Sequence, residues 1–390
     1  QSSRQIMKTL DFKTGVETSK KGFFQAIDKL YSGNNYNYIR YDFQEHEEGY
    51  IIHLNVNEKT AQRLNISFNY NTDENTSLLL YTSIKNIILR DSKIEMSAKL
   101  NSNHDYIFRF SKQLPFLTKL ETGAEAQSKK MLWKVRENGN NMMEVSVVYN
   151  TLDLFLDYNF SNSILIGASL GKELVVYDDE ISLISINEKY EYYKNSYYIT
   201  FDFLDSEVYP TKGILFNISA DEYFTLDFTS NIYPESESND NFIIFSANAD
   251  AYIPLTDYLS FQLYTLAGLT NLFTQVPGEG FSLGGNISNM DIYMTALSGY
   301  ERAEYYTDNL FNNKIALHFY FKDGFFIIPF YEHCFFDIKS IENIYKNSQK
   351  AGSYGLSIKK KTPIGPVSLK YAKGNKKDSS VISFNLGYSF

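Results

Sequence analysis

One cysteine, Cys334, stands in a chain of 390 residues, so an internal disulfide is excluded. Five histidines and no C-x-x-C pair leave no zinc framework either. Basic residues are in the minority. Lys and Arg number 37 against 46 Asp and Glu, and the net charge of −9 argues against a general nucleic-acid binder. No run of about 18 apolar residues occurs anywhere, which excludes a membrane-crossing helix. The N-terminus also lacks a charged-then-apolar stretch, so the signal of an envelope protein would lie upstream of Gln1 or have been removed.

Aromatic residues, by contrast, are plentiful. Thirty-two Tyr and thirty Phe, with a single Trp, make 16% of the chain aromatic. An aromatic-rich, strand-rich chain without apolar runs is what a transmembrane β-barrel predicts, because only alternate residues face lipid. A large soluble β-sandwich is the competing architecture.

The first sixty residues follow a different plan. Ser2 to Leu10 reads as a short helix. A second helix is capped by Thr18 or Ser19, with Phe23, Ile27, Leu30 and Tyr31 spaced along one face. Ser32-Gly33-Asn34-Asn35 ends it. Two alternating strands are expected next, Tyr36–Gln44 and Tyr50–Glu58, joined by a polar turn.

From Thr60 onwards the alternation is continuous. Leu64, Ile66, Phe68 and Tyr70 oppose Arg63, Asn65, Ser67 and Asn69. Leu152, Leu154, Leu156 and Tyr158 oppose Asp153, Asp157 and Asn159. Ile382, Phe384, Leu386, Tyr388 and Phe390 oppose Ser383, Asn385, Gly387 and Ser389. A sandwich would alternate too, so the connectors decide. Every second one is short: Ile88–Asp91, Lys112–Thr118, Phe160–Ser163, Tyr209–Gly213, Pro254–Tyr258, Lys322–Gly324 and Thr362–Pro366. The intervening ones are mostly longer and polar, namely Asn71–Ser77, Arg136–Asn141, Asp178–Tyr193, Thr225–Asp240, roughly Asn271–Asn312, and Ser340–Gly352. Short turns on one rim, long loops on the other and about sixteen strands are the plan of a bacterial outer-membrane barrel. The expected fold is therefore mostly β: an antiparallel transmembrane β-barrel over 60–390, preceded by a small α+β module over 1–59.

The longest connector holds Gly280 to Arg302, GFSLGGNISNMDIYMTALSGYER. It is glycine-rich, yet full of large apolar residues (Phe281, Leu283, Ile292, Tyr293, Leu297, Tyr300). Long loops inside compact domains are usually functional, and one this apolar is expected to pack against something. Gly280-Phe281-Ser282-Leu283-Gly284 also matches G-x-S-x-G. A nucleophile elbow needs a strand before it and a helix after it. Here the flanks read as β-hairpin strands, and His318 and His333, the only nearby bases, read as strand residues. Ser282 is thus read as structural, as are His333 and Cys334. Neither the lysine runs Lys359–Lys361 and Lys373–Lys377 nor the acidic stretches Asp178–Glu180 and Glu235–Asp240 have the aromatic interleaving of a nucleic-acid site.

Several of these segments resemble one superfamily. The helix, helix, strand, strand order with FFQAIDKLY…YNYIRYDF…YIIHLNVNEK resembles a POTRA domain, a periplasmic module of β-α-α-β-β plan, with its first strand missing. That gap implies a chain that continues upstream of Gln1. One such module before about sixteen strands resembles the BamA and TamA assembly factors and the two-partner secretion transporters. Asp205–Gly213, DSEVYPTKG, is similar to that superfamily's D-x-x-x-x-P-x-x-G turn between the eighth and ninth strands. The long connector falls between the eleventh and twelfth, where the family keeps a loop folded into the lumen. That loop's V/I-R-G-Y/F tip corresponds to Leu297-Ser298-Gly299-Tyr300, with Ser298 in the place of an arginine that pairs with an acidic group on the barrel wall. Arg302 is the candidate substitute. Phe281, Leu283, Gly284 and Gly285 upstream of this tip look most like the barrels attached to patatin-like phospholipases, the type Vd autotransporters. The last strand, ending in Phe390, resembles the sorting signal read by the barrel assembly machinery.

The resemblance implies a bacterial outer-membrane translocator with its POTRA-like module in the periplasm. It would export or display a covalently linked upstream passenger, a patatin-like phospholipase, and would have a capacity to homodimerise. Its partners would be outer-membrane lipid and, during biogenesis, the assembly machinery; no nucleic acid, metal, cofactor or catalytic site is expected in this chain. The barrel seam is expected between Gln62–Asn71 and Ser380–Phe390, with Phe384, Leu386, Gly387, Tyr388 and Phe390 as its own residues. The alternatives are an assembly or insertion factor acting on other proteins, a passive porin, and a surface adhesin.

Overall fold

Alternation becomes strand almost everywhere in the computed structural model of the chain. It describes Phe23, Ile27 and, from residue 36 onwards, all residues except 48, 59–61, 73–74, 87, 90, 115–116, 138–139, 162, 179–186, 207–208, 231–240, 272–279, 286–293, 322–323, 339–345, 363–364, 377–379 and 388–390. By internal packing the chain divides into two compact units, Gln1–Arg63 and Leu64–Phe390.

In the first unit β1 (Tyr36–His46) and β2 (Gly49–Glu58) pair antiparallel across the polar turn. Ile39 and Tyr41 share one face with Leu54 and Val56, and the helical residues Phe23 and Ile27 pack onto it. Period two on the strands thus meets a four-residue helical spacing. The remainder of the two expected helices lies outside the described residues.

The second unit is built from β3 (Gln62–Asn71), β4 (Asn75–Lys85), β5 (Ser92–Leu100), β6 (Asp105–Leu114), β7 (Leu117–Glu137), β8 (Asn140–Ser161), β9 (Ile164–Asp178) and β10 (Asn187–Asp202). It continues with β11 (Gly213–Ser230), β12 (Phe242–Thr256), β13 (Leu259–Thr270), β14 (Phe281–Leu283), β15 (Met294–Thr295) and β16 (Tyr305–Thr307). It ends with β17 (Asn309–Phe321), β18 (Phe325–Phe336), β19 (Gln349–Lys360), β20 (Val367–Gly374) and β21 (Ser380–Leu386). Sixteen of these close into one barrel, with β13 beside β17 and β21 returning to β3, while β14–β16 form a separate three-stranded sheet. Neighbours are antiparallel, as consecutive hairpins require.

Outward side chains are apolar. Leu64, Ile66, Leu152, Leu154, Ile166, Leu170 and Ile382 are all exposed. Phe160, Phe203, Tyr258 and Phe321 stand exposed close to the short turns, which makes an aromatic girdle at that rim. On β8 the outward apolar band from Leu152 to Phe160 is about 20 Å tall once strand tilt is allowed for, close to what a hydrocarbon layer needs. No helix is long and apolar enough to cross a membrane among the described residues.

The two rims differ, but the long-loop rim is not built as expected. β7 and β8 run 21 and 22 residues and leave only residues 138–139 between them, where a loop was expected over Arg136–Asn141. β10 likewise starts at Asn187, inside the expected loop Asp178–Tyr193, and β11 reaches Ser230. These strands continue past the lipid band, where the outward face turns polar and the alternation used to find strands fades. Their inward face stays apolar. Val147, Val175, Tyr177, Tyr190, Tyr192 and Tyr223 are buried there in one cluster with the β14–β16 loop. The main core of this barrel therefore lies inside its lumen, toward the long-loop rim.

Candidate functional site

The connector between β13 and β17 supplies the inner half of that core. β14 pairs with β15 in parallel and with β16 antiparallel. Gly284 N–H donates to Thr295 O (3.0 Å), Gly285 N–H donates to Tyr300 O (3.1 Å), and Gly285 bridges Leu297. Local bonds thus satisfy much of the loop's own backbone. Phe281, Leu283, Leu297 and Tyr300 are all essentially fully buried. Burial of each contributes roughly 1.5–3 kcal/mol, set against the entropy of ordering a long loop. The expectation that this loop packs against something is met by the lumen wall.

Its tip is held most tightly. Gly299 takes φ +83°, and a Cβ there would stand 2.7 Å from Gly374 N on β20. A Cβ on Gly374 would in turn strike the Tyr300 ring at 2.8 Å. Only a glycine on each side allows this approach. The Tyr300 hydroxyl then donates to Asn375 Oδ1 (2.8 Å) and lies 3.2 Å from Gly352 O.

Ser298 sits at the centre. Its backbone N–H donates to Glu332 Oε2 (2.7 Å) and its hydroxyl to Glu332 Oε1 (3.2 Å). Glu332 projects inward from β18, only 4% exposed. Ser353 Oγ donates to it from β19 at 3.3 Å, and Lys314 Nζ of β17 lies 3.7 Å away. Lys370 Nζ of β20 donates to Ser298 Oγ at 3.3 Å. A buried carboxylate only accepts, so it persists where donors converge and a cation balances it. Here two wall lysines carry the positive charge, and the loop brings an N–H and a hydroxyl. Arg302 does not appear in this role. Its guanidinium contacts Met294 Sδ (3.5 Å) within the loop, and the groups that hold the acid are those just named. Glu332, Lys314 and Lys370 were missed in the sequence, because each is one charged residue on an alternating strand.

Ser282 lies in the middle of β14, buried and paired on both sides with Met294 and Tyr306, while His318 and His333 belong to β17 and β18. The G-x-S-x-G match sits in a small sheet.

Along the lumen wall, charges pair between nearby strands. Arg109 spans Glu125 (3.0 Å) and Asp157 (2.8 Å), with its guanidinium 3.8 Å from the centre of the Phe155 ring. Lys194 reaches Glu173 at 3.4 Å. These are inward residues of β6–β10.

The seam is a short junction among the described residues. β21 pairs with β3 only at Asn385↔Asn71 and Leu386↔Tyr70 among the described residues. Its other neighbour, β20, matches it from Val367 to Lys373. Asn69 Nδ2 adds a bond to Asn385 Oδ1 (3.1 Å), and Thr72 N–H one to Phe384 O (3.2 Å). At about 0.5–1.5 kcal/mol net for each bond, the described part of this edge opens at less cost than the seven-pair edge between β20 and β21. Gly387 ends the strand through its backbone. It takes φ +99°, with an added Cβ only 1.9 Å from Phe68 O, and its N–H turns to Pro366 O (2.9 Å). Phe384 shares the outward face with exposed Ile382, as Leu386 does by alternation; Asn385 faces inward with buried Ser383. Tyr388 and Phe390 lie outside the described residues.

At the short-turn rim, Asp205 ties the β10–β11 turn. It accepts from Thr211 N–H (2.8 Å), Lys212 N–H (3.1 Å) and the Thr211 hydroxyl. Partial burial pushes its carboxyl up, but these bonds outweigh burial and hold it below the usual value.

Residues 58–390 match the family described as the Omp85 superfamily domain. No curated protein matches the chain by sequence. Among solved structures, the chain is similar to BamA from Haemophilus ducreyi lacking POTRA domains 1–3, with TM-score 0.74 and 15% identity over 100% of this chain and 82% of that one. It is also similar to CdiB from Acinetobacter baumannii, at TM-score 0.59 and 13% identity over 98% and 71%. CdiB from Escherichia coli follows at TM-score 0.55 and 12% identity over 98% and 73%. At these identities the likeness is one of fold.

Proposed function

This chain belongs to the Omp85 superfamily of outer-membrane β-barrels, and from that membership we propose that it is a translocator that exports or displays a polypeptide passenger joined upstream of it. The observation that carries the reading is the contrast between a seam of two residue pairs among the described residues and a lumen loop locked on Glu332. An incoming extended chain needs unpaired backbone to pair with, and in a closed barrel only a parted seam offers it. The loop restrains the open state. Steady conductance through a passive pore fits poorly with a buried apolar core inside the lumen.

The passenger is proposed to be a patatin-like phospholipase, on the strength of Phe281-x-Leu283-Gly284-Gly285 upstream of Leu297-Ser298-Gly299-Tyr300. Residues 1–59 would then be a POTRA-like periplasmic module, a reading supported by the β1–β2 hairpin and its packing on Phe23 and Ile27. An assembly or insertion factor acting on other chains is the second reading, since a weak seam would serve it equally. The mass and sequence of the intact natural product separate the two. A domain ahead of Gln1 with its own G-x-S-x-G serine and Asp-Gly partner is expected. A string of further POTRA modules there would mean an assembly factor instead.

A further inference from the structure

The D-x-x-x-x-P-x-x-G turn between β10 and β11 has no part in the seam or the loop lock, yet it is anchored far from its own strands. Tyr209 is 8% exposed, and its ring lies flat on Phe326 of β18, with centroids 4.7 Å apart and planes 9° from parallel. The Tyr209 hydroxyl donates to Lys360 O on β19 (3.1 Å), and Lys361 Nζ stands 4.8 Å from the ring centre. Ser260 Oγ of β13 donates to Thr211 O at 2.6 Å. From β11 the turn thus passes β12, β13 and β17 to reach β18 and β19. Phe326 is inward-facing and belongs to the last row before the short turn, and Tyr320 packs on it edge-on at 5.3 Å. Asp205 holds Thr211 and Lys212 from within, so the docked part keeps its shape independently of the wall.

We propose that the segment Tyr209–Lys212 is a latch across the short-turn mouth of the lumen, closed in this structure by Tyr209 on Phe326 and opened when that ring leaves. It is a second closure, distinct from the loop core toward the opposite rim. The inference relies on the outer-membrane reading only for calling that mouth periplasmic, and it does not depend on what passes through. Three contacts of different chemistry hold Tyr209, namely ring stacking, a cation over the ring and a hydroxyl-to-carbonyl bond, and the Ser260–Thr211 bond holds the rest of the latch. Contacts of the usual size favour the closed form by about one to two powers of ten.

The test reads the closure directly. A reporter cysteine is introduced as His318→Cys in a Cys334→Ser background, since His318 is buried, faces the lumen and lies one row inside Tyr320. Its reaction with a small water-soluble thiol reagent is timed on the refolded full chain, and heat-modifiable gel migration reports that the barrel is closed. Tyr209→Ala is expected to speed labelling about tenfold, and Tyr209→Phe, which keeps the ring, to speed it much less. Ser260→Ala, which frees the turn from its other anchor, should fall between them. Parental labelling rates in both Tyr209→Ala and Ser260→Ala, with folded migration, would overturn the latch. None of these readouts uses a passenger, so failure of the export reading leaves a distinct signature.

Discussion

Glu332→Ala is expected to free the lumen loop. The substitution leaves Ser298 N–H and the Ser298 and Ser353 hydroxyls without their acceptor in a buried place, and takes the counter-charge from the half-buried Lys314 ammonium. Removing one member of such a set costs about 3–5 kcal/mol, equivalent to a hundred-fold or greater shift from docked to undocked. Glu332→Gln keeps one acceptor oxygen and should fall between the two. Hydrogen–deuterium exchange over Leu297–Tyr300 and ion conductance in planar bilayers are the readouts, and both should rise. Parental exchange and conductance in Glu332→Ala would mean that the apolar contacts of Phe281, Leu283 and Leu297 hold the loop unaided.

The second large effect concerns the lipid face of β21. Ile382 is 64% exposed and shares its face with Phe384. A lysine at either position puts a charge toward the middle of the bilayer, at a cost of about 2–4 kcal/mol. That is a large share of the stability of an ordinary domain. Ile382→Lys and Phe384→Lys are expected to prevent assembly, seen as loss of the heat-modifiable species from the outer membrane. Asn385→Lys points into the lumen and gives up the bond to Asn69, worth about 0.5–1.5 kcal/mol, so most of the protein should still assemble. Equal assembly of all three would contradict the assignment of faces.

Much of the barrel is legible in the sequence because its physics is local. Leu152, Leu154 and Leu156 against Asp153 and Asp157 report a two-sided strand without help from any other part of the chain. The alternation of short and long connectors then counts the strands and tells the rims apart. The signal fails where the membrane ends. β7 and β8 extend beyond the lipid band, and their outward residues turn polar there, so alternation alone reads that strand as loop. The loop's apolar residues could be found, but not their receptors. Glu332 is one of 46 acidic residues, and nothing in its own neighbourhood distinguishes it from a solvated one. Only the closure of the barrel brings β17, β18, β19 and β20 around Ser298. The same is true of Tyr209, whose partner Phe326 lies more than a hundred positions further along the chain. Arg302 was the natural candidate for a missing arginine. The lysines that answer instead come from the wall, which sequence proximity cannot reveal.

Export through this barrel is proposed to require that the seam part. Asn71 and Asn385 are cross-strand partners, and partners in an antiparallel ladder lie about 4.5–5.5 Å apart at Cα, within disulfide reach. Asn71→Cys with Asn385→Cys, in a Cys334→Ser background, gives a seam that oxidant locks and reductant releases. Surface appearance of the natural passenger is then followed in cells carrying the full-length protein. The proposal predicts that export stops on oxidation, resumes on reduction, and is unaffected in either single variant. Export at the parental rate through a locked seam would contradict it and leave the lumen alone as the route.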